Sequence, residues 1–384
     1  MEFVSPGPGI LFENHYSNLF KNRWEKLYSS LKKPVKNIAL IPPFYIDIPP
    51  QNDHNDLENF RGDHSQIPDD EPAYKPTVLP WCYEIEPYGS IKPKERSIVL
   101  YNKNIFDANG LVSRLNDYVY YLDGASAFAA FCLDARPGER VLDMCSSPGG
   151  KTIILVSTMF HEQKFNLSGI PNGSNLSTTE LVEALKNKMN TSTKSLESLL
   201  VCNEPNQARY KRMLETVKRF IPDKLISGMH IQFVNYDATL PNKFQRFGKF
   251  DKILIDAPCS SERHLVTKNL PWSYKNVKEN SKRQLKLLQT AISLLKSGGT
   301  VVYCTCALDP MENELIINTI LKAYEDVKHM NIEYDDVLSR HQHFCNKECP
   351  GHDKYKPEKR TYGCSLMPDL SEFGPLYIAK LQKQ

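Results

Sequence analysis

Short apolar runs alternate with helix-like segments from about residue 118 to the end of the chain, and this alternation constrains the fold more than any other feature. The runs VLDMC, LLVCNE, HIQFVNYD, KILIDAPC and TVVYCTCAL are typical of strands. YVYYLDGASAFAAFCLDA, TIILVSTMF and residues 205–220 and 281–296 are typical of helices. Such alternation predicts a mostly parallel sheet covered by helices on both faces. We therefore predict a doubly wound α/β fold in which ligands bind at the carboxyl ends of the strands.

The rest of the chain is divided around this pattern. Residues 1–48 are predicted to be an N-terminal helical region that docks on the main core rather than binding RNA, because large apolar residues recur there at helical spacing. These residues are Phe20, Trp24, Leu27 and Leu31. Residues 49–76, rich in Pro, Asp, Asn and Gln, are predicted to be a flexible linker, and residues 77–117 connect it to a catalytic domain over 118–384. Within that domain the polar stretch 161–197 is too long for an ordinary connection and predicts a surface insertion.

Composition narrows the class of protein. Of the 384 residues, 41% are apolar and 24% are charged, which is typical of globular proteins. The 48 basic residues barely exceed the 45 acidic ones, so RNA contacts must come from local clusters or from a partner. No apolar run is long enough to predict a membrane span. The ten cysteines lack paired spacing, which favours free thiols in a reducing compartment.

The segment VLDMCSSPGGKT is predicted to pass from a strand through a turn of small residues into a helix. Gly149 and Gly150 would let a ligand approach the backbone closely, and the helix N-terminus offers free N–H groups. Ser147 before Pro148 suits a helix cap followed by a proline in the first turn. The loop also resembles a phosphate-binding loop, but Cys145 stands where that pattern requires glycine.

Acidic residues follow the strands that come next. Glu204, at the end of LLVCNE, is placed to bind the two hydroxyls of a ribose, and the 161–197 insertion explains its long spacing from the glycines. Asp237, at the end of HIQFVNYD, could accept a hydrogen bond from an adenine amino group. The run ILID, which ends at Asp256, also resembles the strand that holds magnesium in nucleotide hydrolases.

Two cysteines lie at two strand ends, Cys259 in DAPCSSERH and Cys306 in TVVYCTCAL. A single buried cysteine usually only packs, but two at the ligand-binding edge indicate chemistry. They suit methylation of carbon 5 of cytosine, which is a poor nucleophile until a thiolate adds to carbon 6. Asp256 is suited to hydrogen-bond the ring nitrogen and amino group, which would stabilise the adduct. The target base must leave its stack to react.

The motifs DMCSSPGGKT, DAPCSSERH and the Thr-Cys pair at 305–306 resemble the Sun-type (Nop/Sun) family of RNA cytosine carbon-5 methyltransferases over roughly 118–384. The resemblance implies a seven-stranded class I methyltransferase sheet, which is Rossmann-like. It implies Cys306 as the nucleophile, Cys259 as the thiol that helps release the product, and S-adenosyl-L-methionine as the cofactor. The implied cofactor contacts are Cys145, Ser146, Ser147, Pro148, Gly149, Gly150, Lys151, Glu204, Arg209, Asp237 and Asp256.

Further segments resemble the mitochondrial members of that family, which modify ribosomal RNA or a transfer RNA. They are RFIPDKLISG, the pair Arg263-His264 and the ending FGPLYIAKL. The resemblance implies rRNA or tRNA as the partner and a mitochondrial rather than cytosolic location. The first twenty residues contain no Lys or Arg, which argues against a cleaved transit peptide. Because no separate RNA-binding domain is apparent, we expect an RNA-binding protein partner or the N-terminal region to contribute affinity.

The residues leave alternatives open. A DNA cytosine methyltransferase would use Cys259 as its nucleophile, and a phosphate-loop hydrolase or a non-catalytic RNA-binding subunit could share the fold. Cys304 would share a strand face with Cys306, although we expect Cys306 to react. Histidines and cysteines between 341 and 364 fit no standard zinc spacing, so we predict no metal site. A basic cluster near 209–219 predicts a solvated helix face rather than a phosphate contact.

Overall fold

Two helices at the N-terminal end pack together and against the rest of the molecule. The computed structural model describes residues 9–45, 73–76, 79–86, 119–161, 197–339 and 356–384. Helices α1 (Gly9–Phe20) and α2 (Trp24–Lys32) are joined by one short 3₁₀ turn, so the predicted N-terminal helical region contains two helices. Their buried side chains form a cluster with two residues of the catalytic part, as predicted for docking on the core. The cluster contains Phe12, Tyr16, Trp24, Leu27, Leu31, Leu308 and Met367.

A four-stranded antiparallel sheet follows, and its strands come from all four parts of the predicted division of the chain. Its strands, in the order β2-β3-β1-β4, are β1 (Asn37–Leu40), β2 (Ala73–Pro76), β3 (Cys82–Glu86) and β4 (Tyr120–Asp123). The segments predicted to be helical, flexible and connecting therefore each contribute a strand. Most of the predicted linker lies outside the described residues, as does 87–118. The helix predicted from residue 118 begins only at Gly124, because the Asp123 carboxylate accepts from the Ala125 N–H and caps it.

The main sheet has nine described strands. They are β5 (Arg140–Asp143), β6 (Leu199–Asn203), β7 (Ile231–Val234), β8 (Phe250–Asp256), β9 (Leu295–Thr305), β10 (Val327–Met330), β11 (Glu358–Lys359), β12 (Cys364–Leu366) and β13 (Leu376–Lys383). Seven of them lie in the order β7-β6-β5-β8-β9-β13-β10, parallel from β7 to β9 and antiparallel at β13. Strands β11 and β12 extend this predicted seven-stranded sheet, because β12 pairs with the other end of β13.

Helices cover both faces of this sheet. They are α3 (Gly124–Leu133), α4 (Gly150–Phe160), α5 (Gln207–Phe220), α6 (Asp223–Ser227), α7 (Glu262–Lys268), α8 (Tyr274–Leu294), α9 (Glu314–Ala323) and α10 (Tyr334–Ser339). Successive residues of β5 point to different apolar clusters, Val141 to one that includes α3, α4 and α5, and Leu142 to one that includes α8 and α9. The predicted doubly wound architecture is therefore confirmed.

The predicted insertion at 161–197 lies outside the described residues except at its two ends. Among the helices that the structure describes, none combines the length and the apolar character that a bilayer span requires.

Candidate active site

The loop between β5 and α4 differs in detail from its predicted form. Helix α4 begins at Gly150, and Gly149, with a φ of 114°, is its cap. The prediction of Ser147 as the cap with Pro148 in the first turn was therefore wrong, since both precede the cap. The Ser147 hydroxyl instead donates to the carbonyl oxygen of Arg209, at 3.3 Å. The left-handed φ explains the need for glycine at position 149.

Side chains of neighbouring elements pack closely against the two glycines of this loop. A Cβ on Gly150 would lie 2.7 Å from Cε1 of Tyr120 in β4, and a Cβ on Gly149 would lie 3.1 Å from Cγ2 of Val217 in α5. Both glycines therefore pack closely against neighbouring elements. The close approach of a ligand to this loop stays a prediction. The loop is held between β4 and α5, at the carboxyl end of β5.

Acidic side chains follow β6 and β7 as predicted. Glu204 is only 2% exposed, and its carboxylate accepts from the backbone N–H of Asn206, at 2.9 Å. The Arg209 guanidinium lies 3.4 Å from the other carboxylate oxygen and also donates to the Ser147 carbonyl, at 3.3 Å. Asp237 is exposed, and hydrogen bonds from the backbone and side chain of Thr239 lower its pKa. Two carboxylates therefore stand at the ends of adjacent parallel strands.

An ion pair connects the loop after β5 to the end of β8. The Lys151 ammonium donates to Asp256 at 2.7 Å and to the Ser126 hydroxyl at 3.2 Å. Burial lowers the pKa of Lys151, but the Asp256 carboxylate opposes this and holds the pKa above its ordinary value. Asp143, at the end of β5, has a pKa raised to about 7 by burial. One of its oxygens accepts from Thr152, and the other has no hydrogen-bond partner among the described residues.

The two predicted thiols come together at the ends of β8 and β9. Cys259 lies three residues after β8 and Cys306 directly follows β9, and their Sγ atoms are 3.2 Å apart. The Ser261 hydroxyl lies 3.2 Å from the Cys306 sulfur and 3.4 Å from the Cys259 sulfur. These parallel strands are neighbours in the sheet, which explains how positions 47 residues apart form one pair.

The electrostatics of the pair distinguish its members. The hydrogen bond from Cys259, helped by Ser261, lowers the pKa of Cys306 although burial opposes the shift. The same bond and burial raise the pKa of Cys259 well above its ordinary value. The two directions agree with an ionised Cys306 that accepts a hydrogen bond from the Cys259 thiol. This is the polarity that a nucleophile and a supporting acid require.

The neighbouring Cys304 is placed differently. It is fully buried in β9, and its sulfur lies 3.6 Å from the Asp256 carboxylate. Burial, followed by the charge of Asp256, raises the pKa of Cys304 well above its ordinary value. Its environment favours a neutral packing thiol.

The segments that follow β8 and β9 and carry Cys259 and Cys306 are called the thiol loops. They are held by residues that the sequence did not single out. The Glu312 carboxylate accepts from the Ser260 backbone N–H at 3.1 Å and from the Gln284 amide at 2.7 Å. The Asn313 side chain accepts from the Thr305 hydroxyl at 2.5 Å and donates to the Ala307 carbonyl at 2.9 Å. The available signal was the polar run DPMENE, which begins three residues after Cys306.

Two weaker signals in the sequence were a cluster of histidines and cysteines and a basic helix face. The histidines and cysteines between 341 and 352 fall outside the described residues, and Cys364 is buried in β12. Within the described ranges, no group of three or more His, Cys, Asp or Glu residues could hold a metal ion. The basic side chains of α5 are exposed, as predicted for a solvated face. They are Arg209, Lys211, Arg212, Lys218 and Arg219.

Sequence comparisons agree with this geometry. Residues 178–382, more than half of the chain, match the model of the 16S rRNA methyltransferase RsmB/F family. The chain is 26% identical over 269 residues to tRNA (cytosine(34)-C(5))-methyltransferase, mitochondrial, of Danio rerio, with 69% of this chain and 60% of the relative covered. It is 26% identical over 342 residues to 5-cytosine rRNA methyltransferase nsun-4 of Caenorhabditis elegans, with 87% and 61% covered. The chain thus spans about three fifths of the length of these curated relatives.

Solved structures share the fold. A methyltransferase homolog protein from Pyrococcus horikoshii superposes with a TM-score of 0.59 at 20% identity, covering 97% of this chain and 95% of that one. NSun6 from Pyrococcus horikoshii with SFG gives a TM-score of 0.53 at 17% identity, covering 99% of each chain. The fold, the thiol pair and the match over residues 178–382 agree, and the chain belongs to the RsmB/F family of methyltransferases.

Proposed function

We propose that the protein methylates carbon 5 of a cytosine in RNA through a covalent bond to Cys306. The observation that carries the proposal is the Cys259–Cys306 pair, with sulfurs 3.2 Å apart and pKa values shifted in opposite directions. The names of the relatives, which describe cytosine-C(5) methylation of tRNA and of rRNA, support the same chemistry.

In the proposed reaction the Cys306 thiolate adds to carbon 6 of the cytosine, and the electron pair of the 5,6 double bond makes carbon 5 nucleophilic. When bound, S-adenosyl-L-methionine supplies the methyl group that carbon 5 takes up. A base then takes the carbon 5 proton, and the electron pair of that bond re-forms the double bond and expels the Cys306 thiolate. Cys259 is placed to assist this last step, because it can donate a hydrogen bond to the departing sulfur at 3.2 Å.

Asp256 is proposed to hold the cytosine ring by accepting hydrogen bonds from its amino group and from its ring nitrogen once that nitrogen is protonated. It lies at the end of β8, three residues before Cys259, and the Lys151 ammonium contacts one of its oxygens at 2.7 Å. Lys151 therefore fixes the Asp256 carboxylate. A preorganised carboxylate of this kind stabilises a proton on the ring nitrogen, and that proton neutralises the negative charge that enters the ring as the thiolate adds.

The residues present fit S-adenosyl-L-methionine. The Glu204 and Asp237 carboxylates, at the ends of adjacent strands, offer acceptors for ribose hydroxyls and an adenine amino group. One buried Asp143 oxygen, which has no hydrogen-bond partner in the described part of the chain, could accept from the cofactor. We propose the whole loop from Cys145 to Lys151, with Arg209, as the remaining contact region. The structure of NSun6 with SFG, an analogue of this cofactor, supports cofactor use in this fold.

The alternatives receive no such support. A DNA-type enzyme would use Cys259 as the nucleophile, and Cys306, whose sulfur lies 3.2 Å away, would then have no role. A phosphate-loop hydrolase would need a glycine where Cys145 stands. Family membership points in the same direction as these observations.

We propose rRNA or tRNA as the substrate and the mitochondrion as the location, because the relatives carry these words in their names. A cleft of about 190 Å³ beside Cys259, lined also by Ser260, Leu265 and Trp272, is the candidate entrance for the base. Bisulfite sequencing of ribosomal and transfer RNA, with and without the gene, tests the proposal. We expect one or more cytosines to lose protection in the deletion strain, and unchanged protection at every cytosine would contradict it.

A further inference from the structure

Glu262 is a buried acidic residue that the proposed reaction does not use. It is fully buried at the start of α7, three residues after Cys259. Its carboxylate accepts from the Ser260 hydroxyl and from the Leu308 backbone N–H, the latter at 2.9 Å. One carboxylate thus joins the segment after Cys259 to the segment after Cys306.

A third bond to this carboxylate comes from the N-terminal helices. The Tyr16 hydroxyl of α1 donates to Glu262 at 2.6 Å, across 246 positions of sequence. The Tyr16 ring is itself fixed, since it stacks on Trp24 at 5.6 Å and meets the edge of Trp272 at 5.7 Å. Burial, and then the charge of Glu262, raises the pKa of Tyr16, so that its hydroxyl stays protonated and remains a donor.

A second contact ties α1 to the same region. The His15 ring nitrogen lies 2.7 Å from the Asp309 carboxylate, which follows Leu308 in the chain. The Leu308 side chain packs into the apolar cluster of α1 and α2. The N-terminal helices therefore contact the loops that carry both thiols.

The energetics favour a specific role for these bonds. A buried carboxylate costs several kcal/mol of desolvation unless hydrogen bonds compensate it, whereas an apolar side chain would fill the same space without that cost. Three donors from three separate segments meet Glu262. This arrangement specifies the relative position of the segments more strictly than packing alone would.

We infer that Glu262 and Tyr16 are positioning residues that hold Cys259 within hydrogen-bonding distance of Cys306, so that α1 is a structural part of the active site. The inference rests on the proposed function for its catalytic consequence. Neither residue is among the hydrogen-bond partners of the two sulfurs, which are each other and Ser261. Their effect passes through the loops.

Because Glu262 is charged, the direction in which the pKa of Cys306 shifts can test the inference. Cys306 is faced by Cys259, Ser261, Asp256 and Lys151, and the charge of Glu262 by itself raises the pKa of Cys306. Neutralising a bystander carboxylate would therefore lower that pKa. Loosening the Cys259 donor would raise it.

The experiment measures alkylation of Cys306 by iodoacetamide as a function of pH, read by mass spectrometry of the Cys306 peptide. Glu262→Gln and Tyr16→Phe are compared with the wild type and with Tyr28→Phe, whose hydroxyl bonds Glu13 in the same helical unit. We expect the midpoint to move to higher pH in both test variants and to stay unchanged in the control. Binding of S-adenosyl-L-methionine, measured by calorimetry, reports that each variant is folded.

Methylation of RNA from the deletion strain provides the second readout. We expect kcat to fall about a hundredfold in Glu262→Gln and roughly tenfold in Tyr16→Phe, as for displaced catalytic groups, with an unchanged KM for the cofactor. A midpoint that moves to lower pH, or a Tyr16→Phe variant that matches Tyr28→Phe in both readouts, would overturn the inference. If Glu262→Gln does not fold, Tyr16→Phe decides alone. If the two variants show the alkylation shifts but the wild type methylates no RNA, the proposed function is refuted and the positioning role stands.

Discussion

The edge of the sheet at which the strands end has two halves that are assembled from different parts of the chain. In the half formed by β5, β6 and β7, the acidic side chains contact residues that are near in sequence. Glu204 accepts from the backbone N–H of Asn206, and Asp237 accepts from the backbone N–H of Thr239. In the half formed by β8 and β9, the thiol loops depend on distant residues. Tyr16 reaches Glu262 across 246 positions.

Substitutions in the two halves should therefore have different effects on ligand binding and on thiol chemistry. A change at Glu204 or Asp237 should alter ligand affinity and leave the thiols undisturbed, because the groups that contact these two carboxylates are near in sequence. A change in the second half should alter thiol chemistry even when it lies far from either sulfur. The predictions below test this division.

Replacing the thiols should have the largest effect. Cys306→Ala should abolish methylation and form no covalent complex, because it removes the group that attacks carbon 6. Cys259→Ala should still attack and transfer the methyl group but release the product slowly. It should therefore accumulate a protein–RNA complex that survives denaturing electrophoresis.

The double variant lacking both thiols is the control for the covalent complex and should show none. The DNA-type assignment would replace ours if the complex were lost in Cys259→Ala and retained in Cys306→Ala.

Removing the Glu204 carboxylate should affect the first half alone. We expect Glu204→Ala to raise the Kd for S-adenosyl-L-methionine by about 10- to 100-fold, the usual loss for hydrogen bonds to a charged group. Calorimetric titration measures it, and Glu215→Ala, an exposed acidic residue on α5, is the matched control. The pH midpoint for Cys306 alkylation should stay at the wild-type value. A shifted midpoint would mean that the halves are coupled.

The contrast between the halves also explains what could be predicted from sequence. The positions of Glu204, Cys259 and Cys306 at strand ends follow from local alternation, because parallel strands end at one edge. Glu262 and Tyr16 could not be paired in this way, since nothing local relates residues 246 positions apart. Their contact depends on how α1 docks.

Errors in the predicted elements have a similar origin. The four-stranded sheet was missed because its strands pair across long separations, with only short apolar runs to signal them. The cap at Gly149 was misplaced because Ser147 and Pro148 satisfy the usual cap pattern, while packing against Val217 and Tyr120 sets the start of α4. Tertiary contacts outweighed local preference in both cases.

The stability of the second half should depend on pH. Burial raises the pKa of Glu312 to about 7, so the folded protein holds this proton more tightly than the unfolded chain does. The unfolded state therefore gains stability relative to the folded state as pH rises from about 4.5 towards 7. Glu312→Gln should remove this dependence and be most stabilising, relative to the wild type, above pH 7.

Urea denaturation at pH 5.5 and pH 7.5 measures this effect. The variant and the wild type should differ more at the higher pH, and an equal difference at both would contradict the assignment of a raised pKa to Glu312. The exposed Glu279→Gln on α8 is the control and should leave the pH dependence unchanged.

Replacing Cys304 should have the smallest effect on chemistry. This thiol is buried, and burial raises its pKa, so Cys304→Ala should keep kcat within about twofold and cost about 1 kcal/mol of stability from lost packing. Steady-state kinetics and urea denaturation check both numbers. Loss of methylation with the fold intact would place Cys304 among the reacting groups.

The central claim is that Cys306 forms the bond to the cytosine, and one measurement tests it directly. An RNA carrying 5-fluorocytosine cannot lose the substituent from carbon 5, so the covalent adduct should persist and can be digested and sequenced by mass spectrometry. We expect the nucleotide on the peptide that contains Cys306, attached at that residue rather than at Cys304. Attachment at Cys259 or Cys304 would contradict the claim.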